Sequence, residues 1–170
     1  MMTVSRVCIV GNVASGKSHL SHLVSDELGL PIIHLDSFYW RPDWSRVPIA
    51  ECQARQAEVI KEEKWILDGC FIEFGLTPRF RAADVVILLD LSVWKCWWQS
   101  IVRIGHHEDF PANGRKMSVF LALAFFIRIL LFKAFDRVFV FRAIRRTGTP
   151  LIRLRRWSDE DAALAQLRNM

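Results

Sequence analysis

The stretch that decides the fold is residues 4–18, which read Val-Ser-Arg-Val-Cys-Ile-Val at 4–10 and Gly-Asn-Val-Ala-Ser-Gly-Lys-Ser at 11–18. The first half is an apolar run rich in β-branched residues, which predicts a buried strand of a parallel sheet. The second half is a complete G-x-x-x-x-G-K-S/T pattern. Because a strand precedes this pattern and a helical segment follows it, we expect a loop that binds a nucleoside triphosphate.

The eight residues of this loop have distinct predicted tasks. Its glycines allow the backbone to wrap around a phosphate chain without Cβ clashes. Its N–H groups and the following helix N-terminus point at the anion. We expect Lys17 to contact the β- and γ-phosphates and Ser18 to ligate Mg²⁺ through its hydroxyl. The predicted cradle consists of Gly11, Asn12, Val13, Ala14, Ser15, Gly16, Lys17 and Ser18.

Beyond this loop, the chain alternates predicted strands and helices. Apolar runs predict further strands at 32–35, 65–67, 85–89 and 151–154. Helical segments are predicted at 16–28, 48–63, 93–104 and 116–146, the last with a break near Asp136. We expect Ser158 to cap a final helix, with Asp161 at the capping-box position. This alternation predicts an α/β fold, a parallel sheet with helices on both faces.

Length and composition indicate a single globular domain. The chain has 170 residues, of which 52% are hydrophobic and 24% charged, which excludes collagenous, coiled-coil and disordered chains. The net charge of +5 is uneven, because residues 1–100 carry ten Lys/Arg and twelve Asp/Glu while residues 101–170 carry thirteen and six. A basic C-terminal part predicts an anionic partner, namely nucleotide phosphates, nucleic acid or a membrane surface, unless the charge only aids solubility.

The cysteines and the N-terminus indicate a cytoplasmic protein. No two of the four cysteines form a Cys-x-x-Cys pair, so we expect reduced thiols rather than disulfides or a zinc site. The apolar run before Gly11 is shorter than the hydrophobic region of a signal peptide. We therefore expect no signal peptide and a cytoplasmic location.

One long apolar stretch differs from the rest of the chain. Residues 119–132 are apolar except for Arg128, and Lys133 follows them. A bilayer span needs about 20 apolar residues with few charges, so we expect no transmembrane segment but a buried or partner-facing helix. Self-association through residues 117–141 and a membrane-surface helix both remain open.

Acidic residues follow several predicted strands. Asp36, Asp68 and Asp90 stand at strand ends, and the carboxyl ends of such strands line the ligand crevice. We expect Asp68 to hold a water on Mg²⁺, and Asp36 to accept a proton from an attacking hydroxyl or to orient the acceptor. The alternative for each is a turn or a helix cap, and Asp90 is the weakest candidate because Ser92 follows it.

Arginines near the same edge are candidates for binding the transferring phosphoryl group. The charge of that group is spread over equatorial oxygens, which a guanidinium binds bidentately. In or near predicted loops stand Arg41, Arg79, Arg81, Arg103 and Arg115. Arg103 is the strongest of them, because it leads into the polar loop 106–115, a candidate lid. For the histidines, we favour a structural or solvent role over metal binding at His34, His106 and His107.

Four segments carry a resemblance to a known group of proteins. They are the phosphate loop at 11–18, His-Leu-Asp followed by Phe-Tyr-Trp-Arg-Pro within 34–42, Trp-Ile-Leu-Asp-Gly at 65–69, and the run 83–90. With these segments the sequence resembles the adenylate-kinase-related P-loop proteins of the topology modulation protein group. The resemblance covers about residues 4–105 and returns weakly at 152–155.

The resemblance implies a P-loop NTPase fold of the nucleoside-monophosphate-kinase kind. That fold has five parallel strands, helices on both faces and a small helical lid, here inserted at about residues 104–146 of a single domain. The resemblance also implies ATP and Mg²⁺ as ligands. Residues 68–69 match the start of the Asp-Gly-x-Pro-Arg segment of adenylate kinases, whose Asp helps to hold Mg²⁺. Residues 70–72 replace the rest, so the monophosphate-binding arginine of that segment is missing.

The leading hypothesis is an ATP- and Mg²⁺-dependent phosphotransferase that acts on a small molecule. Our first choice of acceptor is a nucleotide or nucleoside. Lys17 and Arg103 would neutralise charge on the transferring group. Asp36 would position the acceptor, with Arg41, Arg79 or Arg81 in place of the missing arginine.

Two rival hypotheses come from other classes of protein. The first is an ATP-binding regulator that contacts nucleic acid through the basic C-terminal part. The name of the group suggests an effect on DNA, although no residue of the sequence indicates DNA contact. The second is a protein that docks on a membrane or on a partner through residues 117–141.

Overall fold

The computed structural model describes residues 4–41, 45–105 and 119–170. These residues contain five strands, β1 (Arg6–Gly11), β2 (Ile32–His34), β3 (Trp65–Asp68), β4 (Val85–Leu89) and β5 (Leu151–Leu154). They form one sheet of order β2-β3-β1-β4-β5, in which every neighbouring pair is parallel. All five carboxyl ends therefore lie at one edge, and the predicted parallel α/β fold is confirmed.

Helices cover both faces of this sheet. The described residues form α1 (Lys17–Leu28), α2 (Asp36–Tyr39), α3 (Ile49–Val59), α4 (Leu76–Ala82), α5 (Val93–Gly105), α6 (Val119–Leu131), α7 (Arg137–Thr147) and α8 (Glu160–Arg168). On one face, α1 and α8 bury Leu20 and Leu167 against the strands. On the other face, α3, α4 and α7 bury Cys52, Phe80 and Val140.

The central strands are buried on both sides, because successive side chains of a strand point to opposite faces. In β4, Val86 and Leu88 face α4 and α7, whereas Val85 and Ile87 face α1 and α8. Each such side chain stabilises the fold by about 1.5–3 kcal/mol relative to an exposed one. A strand covered on both faces reads as a continuous apolar run, which is why the sequence predicts β4 with its observed bounds.

Three short elements between β2 and β4 are absent from the sequence prediction. They are α2, a 3₁₀ turn at Ile72–Phe74, and α4. Their lengths are four, three and seven residues, too short for a helical period to emerge from the apolar pattern. As a consequence, Arg79 and Arg81 lie within a helix and not in a loop.

The start of the last helix also differs from the prediction. A 3₁₀ turn precedes α8, and Asp159 rather than Ser158 supplies the cap. Asp159 Oδ2 accepts hydrogen bonds from the backbone N–H groups of Arg156 at 2.9 Å and Arg155 at 3.1 Å. These bonds hold the pKa of Asp159 below its usual range. The predicted cap is wrong because the 3₁₀ turn begins at Trp157, so that Ser158 lies inside it and not at its start.

The apolar stretch forms a long helical segment across residues 119–147. α6 and α7 are continuous through a π-helical turn, Phe132–Asp136, so the break predicted near Asp136 is a widened turn. One side of the segment is buried in the core through Ile129, Phe132 and Val140. Within the described ranges, none of the helices combines the length and the apolar character that crossing a bilayer requires.

Candidate active site

The phosphate loop folds tightly between β1 and α1. Ala14 and Gly16 have positive φ values of 52° and 82°, which turn the chain back on itself. At Gly11, a Cβ atom would lie 2.9 Å from the carbonyl oxygen of Leu89 and 2.9 Å from Ser15 Oγ, so a larger residue does not fit. The loop therefore has the close-wrapped shape that its sequence pattern predicts for a phosphate cradle.

The first two residues of α1 make specific contacts at this loop. Lys17 Nζ donates a hydrogen bond to the carbonyl oxygen of Asn12 at 2.8 Å, which folds the ammonium group over the loop. Ser18 Oγ donates to Asp68 Oδ2 at 3.0 Å. Asp68 ends β3 and pairs in register with Ile9 of β1, the strand that leads into the loop. The two residues predicted to hold a metal ion are thus in direct contact.

Asp68 is the buried carboxylate of this site. It is 4% exposed, and its Oδ2 also meets His34 Nδ1 at 2.9 Å. Its other oxygen, Oδ1, is buried and has no hydrogen-bond partner among the described residues. Such an oxygen is costly to bury alone, and carboxylate and hydroxyl oxygens are the ligands that Mg²⁺ prefers. Ser18 and Asp68 therefore fit a divalent cation between them.

His34 belongs to this site, and the sequence analysis assigns it no role there. It ends β2, and the strand register pairs it with Asp68. Its side chain is 42% exposed, so it stands at the open side of the site while Asp68 is enclosed. The strand-end rule that selects Asp36 and Asp68 would have selected His34 too, because it is the last residue of its strand.

Asn12 joins the phosphate loop to the helical segment. Its Oδ1 accepts a hydrogen bond from the backbone N–H of Val13 at 2.8 Å. Its Nδ2 donates to the carbonyl oxygen of Ile129 in α6 at 3.0 Å. Asn12 is 1% exposed, so both bonds are closed off from water. The position of the loop is thereby linked to the position of α6, a contact between residues 117 positions apart that no local pattern indicates.

A shallow apolar pocket of about 370 Å³ lies beside the loop. It is lined by Ala14, Gly16, Trp98, Gln99 and Val102. The indole of Trp157 packs on Gly16 so closely that a Cβ atom there would lie 2.0 Å from the ring. With the Gln99 amide oriented by its hydrogen-bond network, its nitrogen donates to the Ala14 carbonyl oxygen and its oxygen accepts from Trp157 Nε1. An apolar slot with one fixed amide suits a planar heterocycle such as a nucleobase.

The Asp90 carboxylate, directly after β4, forms ion pairs with three cationic side chains. Lys133 Nζ donates to Oδ1 at 2.5 Å, Arg137 Nε contacts both oxygens at 3.1 Å, and Arg153 Nε donates to Oδ2 at 3.0 Å. Burial opposes ionisation, but the bonds from Lys133 and Arg153 outweigh it and hold the pKa of Asp90 below its usual range. The cluster therefore leaves a local excess of two positive charges at the carboxyl edge of the sheet. No motif in the sequence indicates these three cations, which lie 43 to 63 positions from Asp90.

Arg79 does not lie in or near a loop, as predicted, so its surroundings differ from those expected of a substrate-binding arginine. Arg79 lies inside α4 and is fully buried. Its guanidinium donates to Gln56 Oε1 at 3.4 Å and to the carbonyl oxygen of Phe71 at 3.3 Å, and burial lowers its pKa. Arg79 thus ties α4 to α3 within the core. The error arises because arginine is rarely buried, so a surface position was assumed.

Arg81 is also misplaced by the sequence prediction. It is exposed on the last turn of α4, three residues before Asp84. The Asp84 carboxylate accepts hydrogen bonds from the backbone N–H groups of Ser5 and Arg6, at the amino end of β1. Arg81 therefore lies near the amino edge of the sheet, whereas the phosphate loop lies at the carboxyl edge.

The structure describes the remaining predicted site residues only in part. Asp36 opens α2 directly after β2, and Arg41 follows α2; both side chains are exposed on the carboxyl-edge side. Arg103 lies in the last turn of α5, but its side chain is outside what the structure describes. The predicted lid loop 106–115, with Arg115, also lies outside the described residues. The roles of Asp36, Arg41 and Arg103 stay predictions.

Solved structures resemble this chain over nearly its whole length. Shikimate kinase from Acinetobacter baumannii in complex with shikimate has a TM-score of 0.61 at 12% identity, covering 98% of this chain and 93% of that one. Shikimate kinase from Bacteroides thetaiotaomicron has a TM-score of 0.55 at 12% identity, covering 98% and 97%. A gluconokinase from Sinorhizobium meliloti 1021 has a TM-score of 0.54 at 14% identity, covering 99% and 96%.

The comparisons fix the fold and leave the family open. No protein-family model matches the chain, and no curated protein matches it. The narrower resemblance to the topology modulation protein group therefore stays a prediction. At identities of 12–14%, the structural likeness is a statement about fold alone. The chain shares the fold of shikimate kinase and gluconokinase, a five-stranded parallel sheet with helices on both faces, and carries the phosphate-loop pattern at residues 11–18.

Proposed function

We propose that the protein is an ATP- and Mg²⁺-dependent phosphotransferase that acts on a small molecule. One observation carries the proposal, the Asp68 carboxylate beside the phosphate loop. One of its oxygens is bound by Ser18 and His34, and the other is buried with no partner in the described ranges. The fold shared with shikimate kinase and gluconokinase favours phosphoryl transfer over the other uses of a phosphate loop.

ATP would bind with its phosphates in the loop and its base in the apolar pocket beside it. Lys17 would leave the Asn12 carbonyl oxygen, which it contacts at 2.8 Å, and bind oxygens of the β- and γ-phosphates. Ser18 and Asp68 would hold Mg²⁺, which supplies positive charge at those oxygens when bound. Trp98 and the Gln99 amide line the pocket for the base.

His34 would act as a positioning residue for Asp68. An ionised carboxylate only accepts hydrogen bonds, so the contact of 2.9 Å requires that His34 Nδ1 carries the proton. This bond and the one from Ser18 fix Oδ2, while Oδ1 has no hydrogen-bond partner among the described residues. A carboxylate that is held on one oxygen presents the other in a constant orientation, which suits a metal-bound water.

The acceptor would bind at the carboxyl end of β2. Asp36, exposed at the start of α2, would accept the proton of the attacking hydroxyl. Arg41 would bind an anionic group of the acceptor, and Arg103 would neutralise charge on the transferring phosphoryl group. A nucleotide or nucleoside stays the first acceptor class. A small hydroxylated acid is the second, because one neighbouring structure is a shikimate kinase in complex with shikimate.

ADP release from Mg²⁺-ATP tests this function. The purified chain would be assayed against nucleoside monophosphates, nucleosides and small hydroxylated acids, each with and without Mg²⁺. We expect one class to raise ADP release, and Lys17→Ala to lower that acceptor-dependent rate by at least about a hundredfold. Asp26→Asn, at an exposed position of α1, is the matched control and should leave the rate unchanged.

Two results would overturn the proposal. Tight binding of Mg²⁺-ATP without acceptor-dependent turnover across the panel would leave a nucleotide-binding protein rather than a kinase. An acceptor-dependent rate that survives in Lys17→Ala would mean that the measured activity does not come from this phosphate loop.

A further inference from the structure

An apolar stripe lies exposed along α6 and α7. Its large side chains are 42–59% exposed, although each has an apolar surface that water solvates poorly. A monomeric domain rarely leaves so many large apolar side chains together in contact with water. The apolar stripe consists of Leu123, Ile127, Leu130, Leu131, Phe135, Val138 and Phe139.

The π-helical turn keeps both halves of the stripe on one face. Leu123, Ile127, Leu131, Phe135 and Phe139 follow at intervals of four residues. Such steps drift by about 40° each around an α-helix, because 3.6 residues make one turn. The wider turn between α6 and α7 reduces this drift, so the phenylalanines stay aligned with the residues before them.

The helical segment cannot bury the stripe by rotating about its own axis, because its opposite side is already packed in the core. Its opposite side carries Ile129, Phe132 and Val140, which are at most 3% exposed within the core. On the neighbouring helix α5, Trp94 is 68% exposed, with its ring 6.1 Å from that of Phe126 in α6. The exposed apolar surface therefore extends onto α5 and includes an aromatic side chain of the kind enriched at membrane–water interfaces.

Positive charge accompanies the stripe. Residues 119–147 contain six cations, Arg128, Lys133, Arg137, Arg142, Arg145 and Arg146, and one acid, Asp136. Arg142 and Arg146 are exposed and line a groove together with Phe139 of the stripe. The partner must therefore offer both an apolar interior and negative charge at its edge.

The charge distinguishes between the occupants that an apolar face could have. A second copy of the chain would bring its own excess of five positive charges against this one, so like charges would oppose the contact. A nucleic acid would match the charge but would offer no apolar layer for seven large side chains. The surface of an anionic bilayer offers both, acyl chains below and headgroup phosphates above.

We propose that α6 and α7 dock in the plane of an anionic lipid bilayer. The apolar stripe enters the boundary between headgroups and acyl chains, and Arg142 and Arg146 contact headgroup phosphates. The helical segment lies on the surface and does not cross it, consistent with the lengths of the described helices. This inference does not depend on the proposed kinase activity, because it rests on the exposed side chains of α6 and α7 and on none of the residues assigned to ATP or Mg²⁺.

Co-sedimentation of the full chain with lipid vesicles tests the docking. One set of vesicles contains phosphatidylcholine alone, and the other contains about one third phosphatidylglycerol. We expect at least about tenfold tighter binding to the anionic set at low salt, and a loss of about tenfold in both Phe135→Gln/Phe139→Gln and Arg142→Gln/Arg146→Gln. The matched control Lys61→Gln/Lys64→Gln removes two positive charges from the segment that precedes β3. It should bind the vesicles as tightly as wild type does. Circular dichroism and the melting temperature report whether each variant is folded.

Three outcomes would overturn the docking. Sedimentation with neither set of vesicles, or equally with both, excludes an anionic bilayer as the occupant. Binding that is retained in the Arg142→Gln/Arg146→Gln variant would exclude the charge contact, even if the phenylalanine variant proves unstable. A dimer in light scattering that dissociates in Phe135→Gln/Phe139→Gln would assign the stripe to a second copy of the chain.

Discussion

The region around the phosphate loop and the helical segment of residues 119–147 are held together in different ways. In the first, the interacting side chains belong to a short motif or stand at strand ends, as Ser18 and Asp68 do. In the second, the contacts involve helix positions that no motif and no strand end marks, as with Lys133, which binds Asp90. A local motif can be recognised from sequence alone, whereas contacts of the second kind follow only from the tertiary structure.

Among the described residues, Asn12 and Asp90 form hydrogen bonds or ion pairs that connect these regions. Asn12 of the phosphate loop donates to the Ile129 carbonyl oxygen of α6. Asp90, at the end of β4, binds Lys133 and Arg137 of the helical segment. Substitutions at these contacts show how strongly the helical segment depends on the sheet, and substitutions elsewhere on the surface provide the contrast.

The largest effect on stability is expected for Asp90→Asn. The carboxylate is buried, but its three cations are 27–34% exposed and stay partly solvated after the change. We therefore expect a loss of about 2 kcal/mol, below the 3–5 kcal/mol of a fully buried pair. For a chain of this size, that lowers the melting temperature by about 4–8 °C. An unchanged melting temperature in calorimetry would mean that the cluster does not anchor the segment.

The same carboxylate makes stability depend on pH. Because the pKa of Asp90 is lowered in the folded state, its contribution is present above the unfolded-state value of about 3.9 and is lost as the pH falls towards the folded-state value. The difference in melting temperature between wild type and Asp90→Asn should therefore be constant from pH 7 to about 5 and shrink below about pH 4. A difference that stays constant down to pH 3 would contradict the ion cluster.

A smaller effect is expected for Asn12→Ala. The change leaves the Ile129 carbonyl oxygen without its side-chain donor in a buried position, which costs about 1–2 kcal/mol. Chemical denaturation measures this loss. Asn169→Ala, at the exposed C-terminus, removes the same amide and should leave stability unchanged. Equal stabilities of the two variants would show that the loop and α6 are not coupled.

The smallest effect is expected at the surface pair between Arg168 and Glu27. It joins α8 to α1, with the arginine side chain 61% exposed. Exposed pairs are screened by water and salt and contribute little. Arg168→Gln should shift the melting temperature by less than about 2 °C at moderate salt. A larger shift would indicate that the contact between α8 and α1 carries more of the stability than its exposure suggests.

Much of the fold and part of the site follow from the sequence. The sheet is predictable because β4 and, after Arg6, β1 are buried on both faces and read as apolar runs. The contact between Ser18 and Asp68 is predictable because a phosphate loop and a strand-end carboxylate meet at the same edge of a parallel sheet.

The remaining features depend on packing that no local pattern encodes. Arg79 reads as a surface arginine but is enclosed when α4 packs on α3. The three cations at Asp90 are separated from it by 43 to 63 residues. For the apolar segment of α6 and α7, the sequence leaves a buried, a partner-facing and a membrane-surface helix open, because it does not show which side of an apolar helix has neighbours.

The Mg²⁺ dependence of ATP binding tests the central claim, that Ser18 and Asp68 hold the metal of the bound nucleotide. Calorimetric titration of wild type, Asp68→Asn and the control Asp26→Asn with ATP, with and without Mg²⁺, gives six affinities, two for each protein. We predict that Mg²⁺ raises ATP affinity by at least about tenfold in wild type and in Asp26→Asn, and that this gain disappears in Asp68→Asn. An equal gain in Asp68→Asn would contradict the assignment of the metal to this site.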